Sequence, residues 1–336
     1  MKKLEKKLLN SSFSHIYVEK EAFKYPLTDK ILRKFPNCKT IELDTYKEIF
    51  SKGNQNFIMQ KKSQKLILAV KKENYLYEGA KVCESFGNDN FYYTSSVINC
   101  IYDCEYCYLQ GVYTSANIVI FVNIEDCFHE IEKILKEKSM YICISYDTDL
   151  LALEGMTGLV EQWYNFVSKN RNLKIELRTK SSNIKAVKYL KPLDNFILAW
   201  TLSPESFAAE HEKGAASLEE RLEAADEMLE KGWKVRICFD PVIYIENFEK
   251  EYGELVKRTF NELFSKNILD VSIGTFRISK EYLKRMRKYR ENSEILSYPF
   301  FCEKGVYSYY PQHIKKMIDF MKEETRKYIE DEKIFI

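Results

Sequence analysis

The chain has 336 residues, 45% hydrophobic and 30% charged, with a formal net charge of +2. This is the mixture of a globular protein with one large core or two modest ones, and 11 glycines and 7 prolines leave little room for low-complexity linkers. No apolar run reaches the roughly 18 residues of a membrane helix, and the N-terminal MKKLEKKLLNSSFS lacks the apolar core of a signal peptide, so the expected address is the cytoplasm, with no membrane partner.

Residues 1–85 read as an N-terminal α/β cap, with strands over 15–18, 40–43 and 65–69 and a helix over 28–35. From about Phe91 the pattern changes. Short runs rich in Ile, Val, Tyr and Phe predict strands over 90–96, 140–146, 173–179, 196–202, 233–239 and 270–276. Nearly continuous apolar runs such as YICIS suit strands covered on both faces. Helical periodicity predicts helices over 124–136, 158–169, 184–189, 218–231 and 247–264. The clearest has Ser217 as a cap, Glu220 three residues on and Gly232 just past the end. Six strands separated by helices imply right-handed parallel crossovers. Periodicity does not choose between a doubly wound plate and an incomplete barrel over 86–290. Residues 291–336 form a C-terminal extension, an aromatic loop (YPFFCEKGVYSYYP) followed by a helix from Gln312 to about Glu330.

One segment is locally basic. RISKEYLKRMRKYR, from Arg277 to Arg290, is either a solvated helix face or a phosphate-contacting one. His211, in AAEHEKGA, is expected in a solvent-facing loop.

Nine cysteines without a secretory signal do not suggest a disulfide framework. Cys38, Cys83, Cys127, Cys143, Cys238 and Cys302 are scattered, and most read as small buried hydrophobes. Cys100, Cys104 and Cys107 stand apart, in a C-x3-C-x2-C run of eight residues. Thiolates are soft ligands for iron–sulfur clusters, zinc or cuprous copper. A zinc site wants four ligands in paired knuckles, and no second C-x2-C accompanies this one. Three cysteines in a single loop suit a [4Fe-4S] cube with one iron open to a cosubstrate. A protein using them only for structural metal is the alternative.

The spacing, with aromatic Tyr106 before the third cysteine and the loop after the first β-run of the α/β stretch, is similar to the radical S-adenosylmethionine (SAM) superfamily signature. Beyond the loop, the chain resembles the spore photoproduct lyase family. The likeness runs through IYVEKEAFKYPL, CEYCYLQ, FVNIED, SYDTDLLALE, LRTKSSNI, EKGAASLEERLEAA and DPVIYIENFEKEY in order.

That resemblance implies an incomplete (β/α)6 barrel, a [4Fe-4S] cluster on Cys100, Cys104 and Cys107, SAM as cosubstrate, and ultraviolet-damaged DNA as partner. It also implies an electron donor of the flavodoxin or ferredoxin kind. The implied reaction is radical repair of the 5-thyminyl-5,6-dihydrothymine lesion: hydrogen is abstracted, the methylene bridge breaks, and hydrogen returns to the thymine. Carried over by position, Tyr106, Tyr108 and Tyr146 are the implied catalytic residues, and Tyr106, Thr148, Lys180, Thr201 and the main chain of Asp240 the implied cofactor contacts. Two positions depart from the family pattern. Tyr146 stands where the family has its hydrogen-donor cysteine, with Cys143 at an odd offset on the expected strand and Cys302 in the C-terminal loop as other thiols. Glu303 falls near an expected lesion-contacting arginine, with Tyr307, Tyr309 and Tyr310 either stacking on bases or covering the barrel. A related enzyme with another substrate is therefore the second functional reading.

Overall fold

The computed structural model describes residues 13–80, 83–263 and 267–336. Its first strands are β1 (His15–Glu19), β2 (Lys39–Leu43) and β3 (Leu66–Ala69), followed by β4 (Tyr77–Glu78), β5 (Phe91–Tyr93), β6 (Val97–Ile98), β7 (Asp103–Cys104) and β8 (Ile118–Phe121). β1 pairs in parallel with β2 and β3, β3 with β8 in parallel, and β6 lies antiparallel to β8. The cap expected over 1–85 is thus not a self-contained segment. The runs LILA of β3 and IVIF of β8 are buried at every position. Such strands need neighbours on both edges and cover on both faces, and they find each other across the intervening cysteine loop.

The remaining strands are β9 (Met140–Cys143), β10 (Leu173–Thr179), β11 (Phe196–Thr201), β12 (Glu212–Lys213), β13 (Lys234–Val242), β14 (Ile268–Thr275), β15 (Arg277–Ser279), β16 (Phe301–Glu303), β17 (Val306–Ser308) and β18 (Ile334–Phe335). The larger sheet runs β18-β14-β13-β11-β10-β9-β5-β4. All its pairings are parallel except that of the edge strand β4. It contains the six expected strands, curled into a half-barrel. β11 (FILAWT) is buried throughout. Helices Ile124–Leu135, Leu159–Val167, Leu218–Glu230 and Phe248–Glu262 lie on the crossovers. Trp163, Trp200 and Trp233 are among the largest fully buried side chains. The helix from Leu218 starts on a full capping box: the Ser217 hydroxyl accepts from the Glu220 N–H, and Glu220 accepts from the Ser217 N–H at 2.9 Å.

Several expectations shift. The stretch 184–189 makes turns instead of a helix. The strand expected to reach residue 146 ends at Cys143, so side-chain alternation does not carry through to Tyr146. The C-terminal aromatic stretch folds as a hairpin, β16–β17, with β15 on its other edge. Lys304 and Gly305 both adopt positive φ (48° and 82°) in its two-residue turn. Tyr309 is buried, with its hydroxyl accepting from the Tyr244 N–H, so it is a packing residue and not a base-stacking one. Cys302 is exposed on the hairpin.

The basic segment forms the helix Lys280–Tyr289 and turns its arginines inward. Arg285 donates to the Gly111 and Val112 carbonyls, Arg287 to those of Leu296 and Tyr298, and Arg290 to Gln110 and Asp103. Lys280, Lys284 and Lys288 are exposed on its outer face, together with Glu281. Among the described residues no helix is long and apolar enough to cross a membrane.

Candidate active site

The three clustered cysteines sit where the chain crosses from one sheet to the other. Asn99 takes a left-handed conformation (φ 66°), which asparagine tolerates. Its amide donates to the Ser115 and Asn117 carbonyls, fixing both ends of the loop. Lys61 donates to the Cys100 and Tyr102 carbonyls at 2.6 Å each, and Gln110 to those of Cys104 (2.9 Å), Glu105 (3.2 Å) and Cys107 (3.3 Å). β7, which ends on Cys104, pairs antiparallel with β12. His211, just before β12, meets the Glu105 carboxylate at 2.8 Å, so it is a clasp on the cysteine loop and not the free loop residue expected from sequence.

A buried charge cluster backs the loop. Glu212 on β12 takes hydrogen bonds from Tyr106, from Lys180 at 2.8 Å, from Ser203 at 2.9 Å and from Arg221. The side chains of Glu212 and Arg221 are fully buried. Burial alone would raise the Glu212 carboxyl, but Lys180 and Arg221 hold it far below the ordinary range. Lys180 in turn donates to the Tyr106 hydroxyl and lies 4.6 Å from its ring centroid. It is therefore a buried partner of the loop, not a solvated surface lysine.

These groups face a cavity of about 1030 Å³. All ten carried-over positions line it: Cys100, Cys104, Cys107, Tyr106, Tyr108, Tyr146, Thr148, Lys180, Thr201 and Asp240. The Thr148 hydroxyl is buried and finds no partner among the described residues. Thr201 gives its carbonyl to Arg221. The Asp240 side chain is engaged as well as its backbone, by Arg277 at 3.0 Å and Arg178 at 3.3 Å. Below it, Glu176 lies between Arg178 and Arg236; despite burial, these cations hold its carboxyl down at about 2.

The facing wall is aromatic. Tyr77 stacks on Tyr93 (5.0 Å between centroids, 16°), and Tyr93 stacks on Tyr146 (4.1 Å, 24°). Tyr108 donates to the Tyr146 carbonyl at 2.7 Å. The Tyr146 hydroxyl lies 3.7 Å from the Cys83 sulfur. Lys71 reaches into the same space, 5.0 Å from the Tyr77 ring centroid.

Sequence reasoning missed Cys83, Glu212, Arg221 and the Tyr77–Tyr93 stack. Glu212 and Arg221 lie within EKGAASLEERLEAA, a stretch of the family likeness, but nothing local marked them as buried. Cys83 lies in a stretch without periodicity and carried no signal.

The donor set suits an iron–sulfur cluster. Burial pushes the Cys100 thiol up to about 12 and raises those of Cys104 and Cys107, so their thiolate forms need a cation beside them. Among the described residues, no three of His, Cys, Asp and Glu converge as ligands of one ion. A [4Fe-4S] cube asks for something different, with each thiolate on its own iron.

A curled parallel sheet with a three-cysteine loop after its first strand defines a radical-SAM half-barrel. A family model described as spore photoproduct lyase matches residues 12–334. The chain belongs to that family. It is 25% identical over 297 residues to a spore photoproduct lyase from Clostridium acetobutylicum, covering 85% of each chain. It superposes with a TM-score of 0.83 and 18% identity on a spore photoproduct lyase complexed with dinucleoside spore photoproduct, covering 96% of this chain and 97% of that one. A doubly substituted spore photoproduct lyase with bound AdoMet and dinucleoside spore photoproduct gives a TM-score of 0.82 at the same identity and coverage.

Proposed function

We propose that this protein repairs the 5-thyminyl-5,6-dihydrothymine lesion of ultraviolet-damaged DNA as a radical-SAM lyase. The observation that carries the reading is a single cavity that joins the three cluster cysteines to a tyrosine-lined wall. Family membership and the solved relatives' bound dinucleoside support it.

Cys100, Cys104 and Cys107 would hold the [4Fe-4S] cluster. When bound, the cluster and SAM supply a hydrogen-abstracting radical. The chain's own residues do the rest. Lys61, Gln110 and β12 keep the loop carbonyls fixed, so the cysteines are held ready for iron. Thr148, with its unused hydroxyl, Thr201 and the backbone at Asp240 offer polar contacts to the cosubstrate. Tyr77, Tyr93 and Tyr146 line the side of the cavity along which a thymine can lie. Lys71 brings a cation to the cavity wall that a phosphodiester can approach. A low-potential donor of the flavodoxin or ferredoxin kind would reduce the cluster.

The experiment uses anaerobically reconstituted protein with dithionite, SAM and a spore-photoproduct dinucleotide, with both products read from one chromatogram. Restored thymidylyl-thymidine together with 5′-deoxyadenosine is the expected result. Deoxyadenosine without loss of the lesion would assign the chain to a different substrate. The exposed hairpin, carrying Glu303 near the place where the family resemblance implies an arginine, favours that second reading.

A further inference from the structure

The basic helix Lys280–Tyr289 has two faces with different partners. Inward, Arg285 donates to the Gly111 and Val112 carbonyls, and Arg290 donates to Asp103 and, at 2.6 Å, to Gln110. Gln110 in turn donates to the Cys104 and Cys107 carbonyls, so hydrogen bonds run from this helix to the cluster cysteines. Tyr282 packs so closely that a Cβ on Gly111 would lie 2.3 Å from its own, and it also lines the cavity. The helix is therefore the wall of the cysteine loop on this side, and its outer face stands one helix diameter away, about 10–12 Å. Outward, Lys280, Lys284 and Lys288 recur every fourth residue and form one exposed stripe. Among the described residues none of the three has a carboxylate within ion-pair distance, although Glu281 shares the exposed surface. Like charges four residues apart repel one another along a helix, and here no neighbour relieves them. Alongside, the helix Phe57–Lys62 stacks Phe57 on Tyr289 (5.7 Å between centroids, 19°) and ends in Lys61, bonded to the Cys100 and Tyr102 carbonyls, and in exposed Lys62.

We infer that the stripe Lys280–Lys284–Lys288 is the docking surface for an acidic one-electron carrier protein, an assignment that rests on the radical-SAM reading above. A net charge of +2 gives the whole molecule little field, so an acidic partner has to be steered by a local patch. Electron-transfer encounters bury little surface and rely on complementary charge. The stripe has that character: its lysines are unpaired, and no large hydrophobic side chain of this helix is exposed. Lysine ammonium groups stay hydrated and suit brief contacts, whereas the arginines of the same helix are locked on carbonyls. The stripe also faces away from the substrate. Lys280 and Lys284 each stand two residues from Tyr282, on the opposite side of the helix from the ring that lines the cavity. In the encounter one electron leaves the reduced carrier and enters the cluster. The carrier is oxidised by one electron, no bond forms or breaks, and no proton moves.

The test compares anaerobically reconstituted wild type with a stripe variant, Lys280→Glu, Lys284→Glu and Lys288→Glu together. A control variant carries Lys133→Glu, Lys136→Glu and Lys169→Glu, at exposed lysines on the crossovers after β8 and β9. Both variants change the net charge equally, and thermal unfolding confirms that both fold. The probes are an acidic flavodoxin and an acidic ferredoxin, titrated in their oxidised forms so that binding is read without turnover. At low ionic strength the stripe variant should bind at least about tenfold more weakly than wild type, with the control close to wild type. Wild-type affinity should itself fall as ionic strength rises from about 0.02 to about 0.2 M. A second readout is kinetic. With pre-reduced carrier as the sole electron source, 5′-deoxyadenosine formation should fall by a similar factor in the stripe variant, while with dithionite all three proteins should run alike. Equal carrier affinity in wild type and stripe variant, an equal loss in the control, or no binding of either carrier to wild type overturns the assignment. Loss of affinity for a lesion oligonucleotide with carrier binding unchanged also overturns it and makes the stripe a nucleic-acid face. Failure of the radical-SAM reading shows in the wild type under dithionite, as absence of 5′-deoxyadenosine; failure of the docking assignment shows only with the carriers.

Discussion

Glu212→Gln tests whether a buried carboxylate holds the cysteine loop to the barrel. The substitution keeps the shape of the side chain and its contacts with Tyr106 and Ser203, but removes the charge. Arg221 is then left as a cation with a fully buried side chain and no anion in contact, and Lys180, 14% exposed on the cavity side, loses the same partner. Breaking a buried ion pair from one side costs about 3–5 kcal/mol. Lys180 can relax toward the cavity, so the expected loss lies near the lower end, about 3 kcal/mol. Urea unfolding should show it as a lower midpoint with an unchanged slope. The pH dependence adds a second mark. The Glu212 carboxyl is depressed in the folded state, so its contribution is present above the unfolded value of about 4.3 and is lost as pH falls below it. Wild type should therefore converge on the variant as the solution is acidified. A midpoint shift worth less than about 0.5 kcal/mol at neutral pH, within the range of ordinary surface changes, would refute the claim that this charge ties the loop down.

Four further outcomes follow from the same geometry. Cys104→Ala should abolish the absorbance at about 400 nm that thiolate-bound iron–sulfur centres show after anaerobic reconstitution; a full spectrum would remove Cys104 from the ligand set. Gly111→Ala would place a methyl 2.3 Å from the Tyr282 Cβ and 2.6 Å from its Cα. It should destabilise by about 1–3 kcal/mol and lower cluster occupancy, because the displaced helix carries Arg285 onto the Gly111 and Val112 carbonyls; normal stability would mean that the two helices part freely. Burial raises Glu154 to about 7, so its protonated form favours the fold below about pH 4.5 and that stability is lost as pH rises through 7. Glu154→Gln should flatten the stability profile between pH 5 and 8 by about 1–3 kcal/mol, and parallel profiles would contradict it. Finally, binding of a single-lesion oligonucleotide should weaken with salt on a shallow log–log slope, on the order of −1 to −2, and a steep slope would require a basic surface elsewhere.

What was legible in the sequence is what is local. The strand over 173–179 and the helix from Leu218 were readable because apolar alternation, a cap and a terminal glycine sit within the elements they define. The cysteine loop was readable because its three ligands fall within eight residues. The partners of that loop were not readable. Glu212 meets Lys180 from 32 residues away and Tyr106 from 106 residues away, through a two-residue strand too short to leave a periodic trace. Cys83 reaches Tyr146 across 63 residues and from an aperiodic stretch. The pairing of β3 with β8 was hidden for a related reason: β8 looks like any buried strand, and nothing local says that its neighbour is β3.

The inward arginines carry a consequence for recognition. A basic run is usually read as a surface for phosphates, yet here Arg285, Arg287 and Arg290 are spent on main-chain carbonyls, Gln110 and Asp103. Arg285 and Arg290 staple the helix Lys280–Tyr289 to the cysteine loop and the residues just after it, and Arg287 ties that helix to the chain that follows it. At the cavity wall, Arg178 and Arg277 are in turn paired with Glu176 and Asp240, and Lys71 lies over the Tyr77 ring. Affinity built this way depends on a base lying against the tyrosine wall more than on long-range attraction to a duplex.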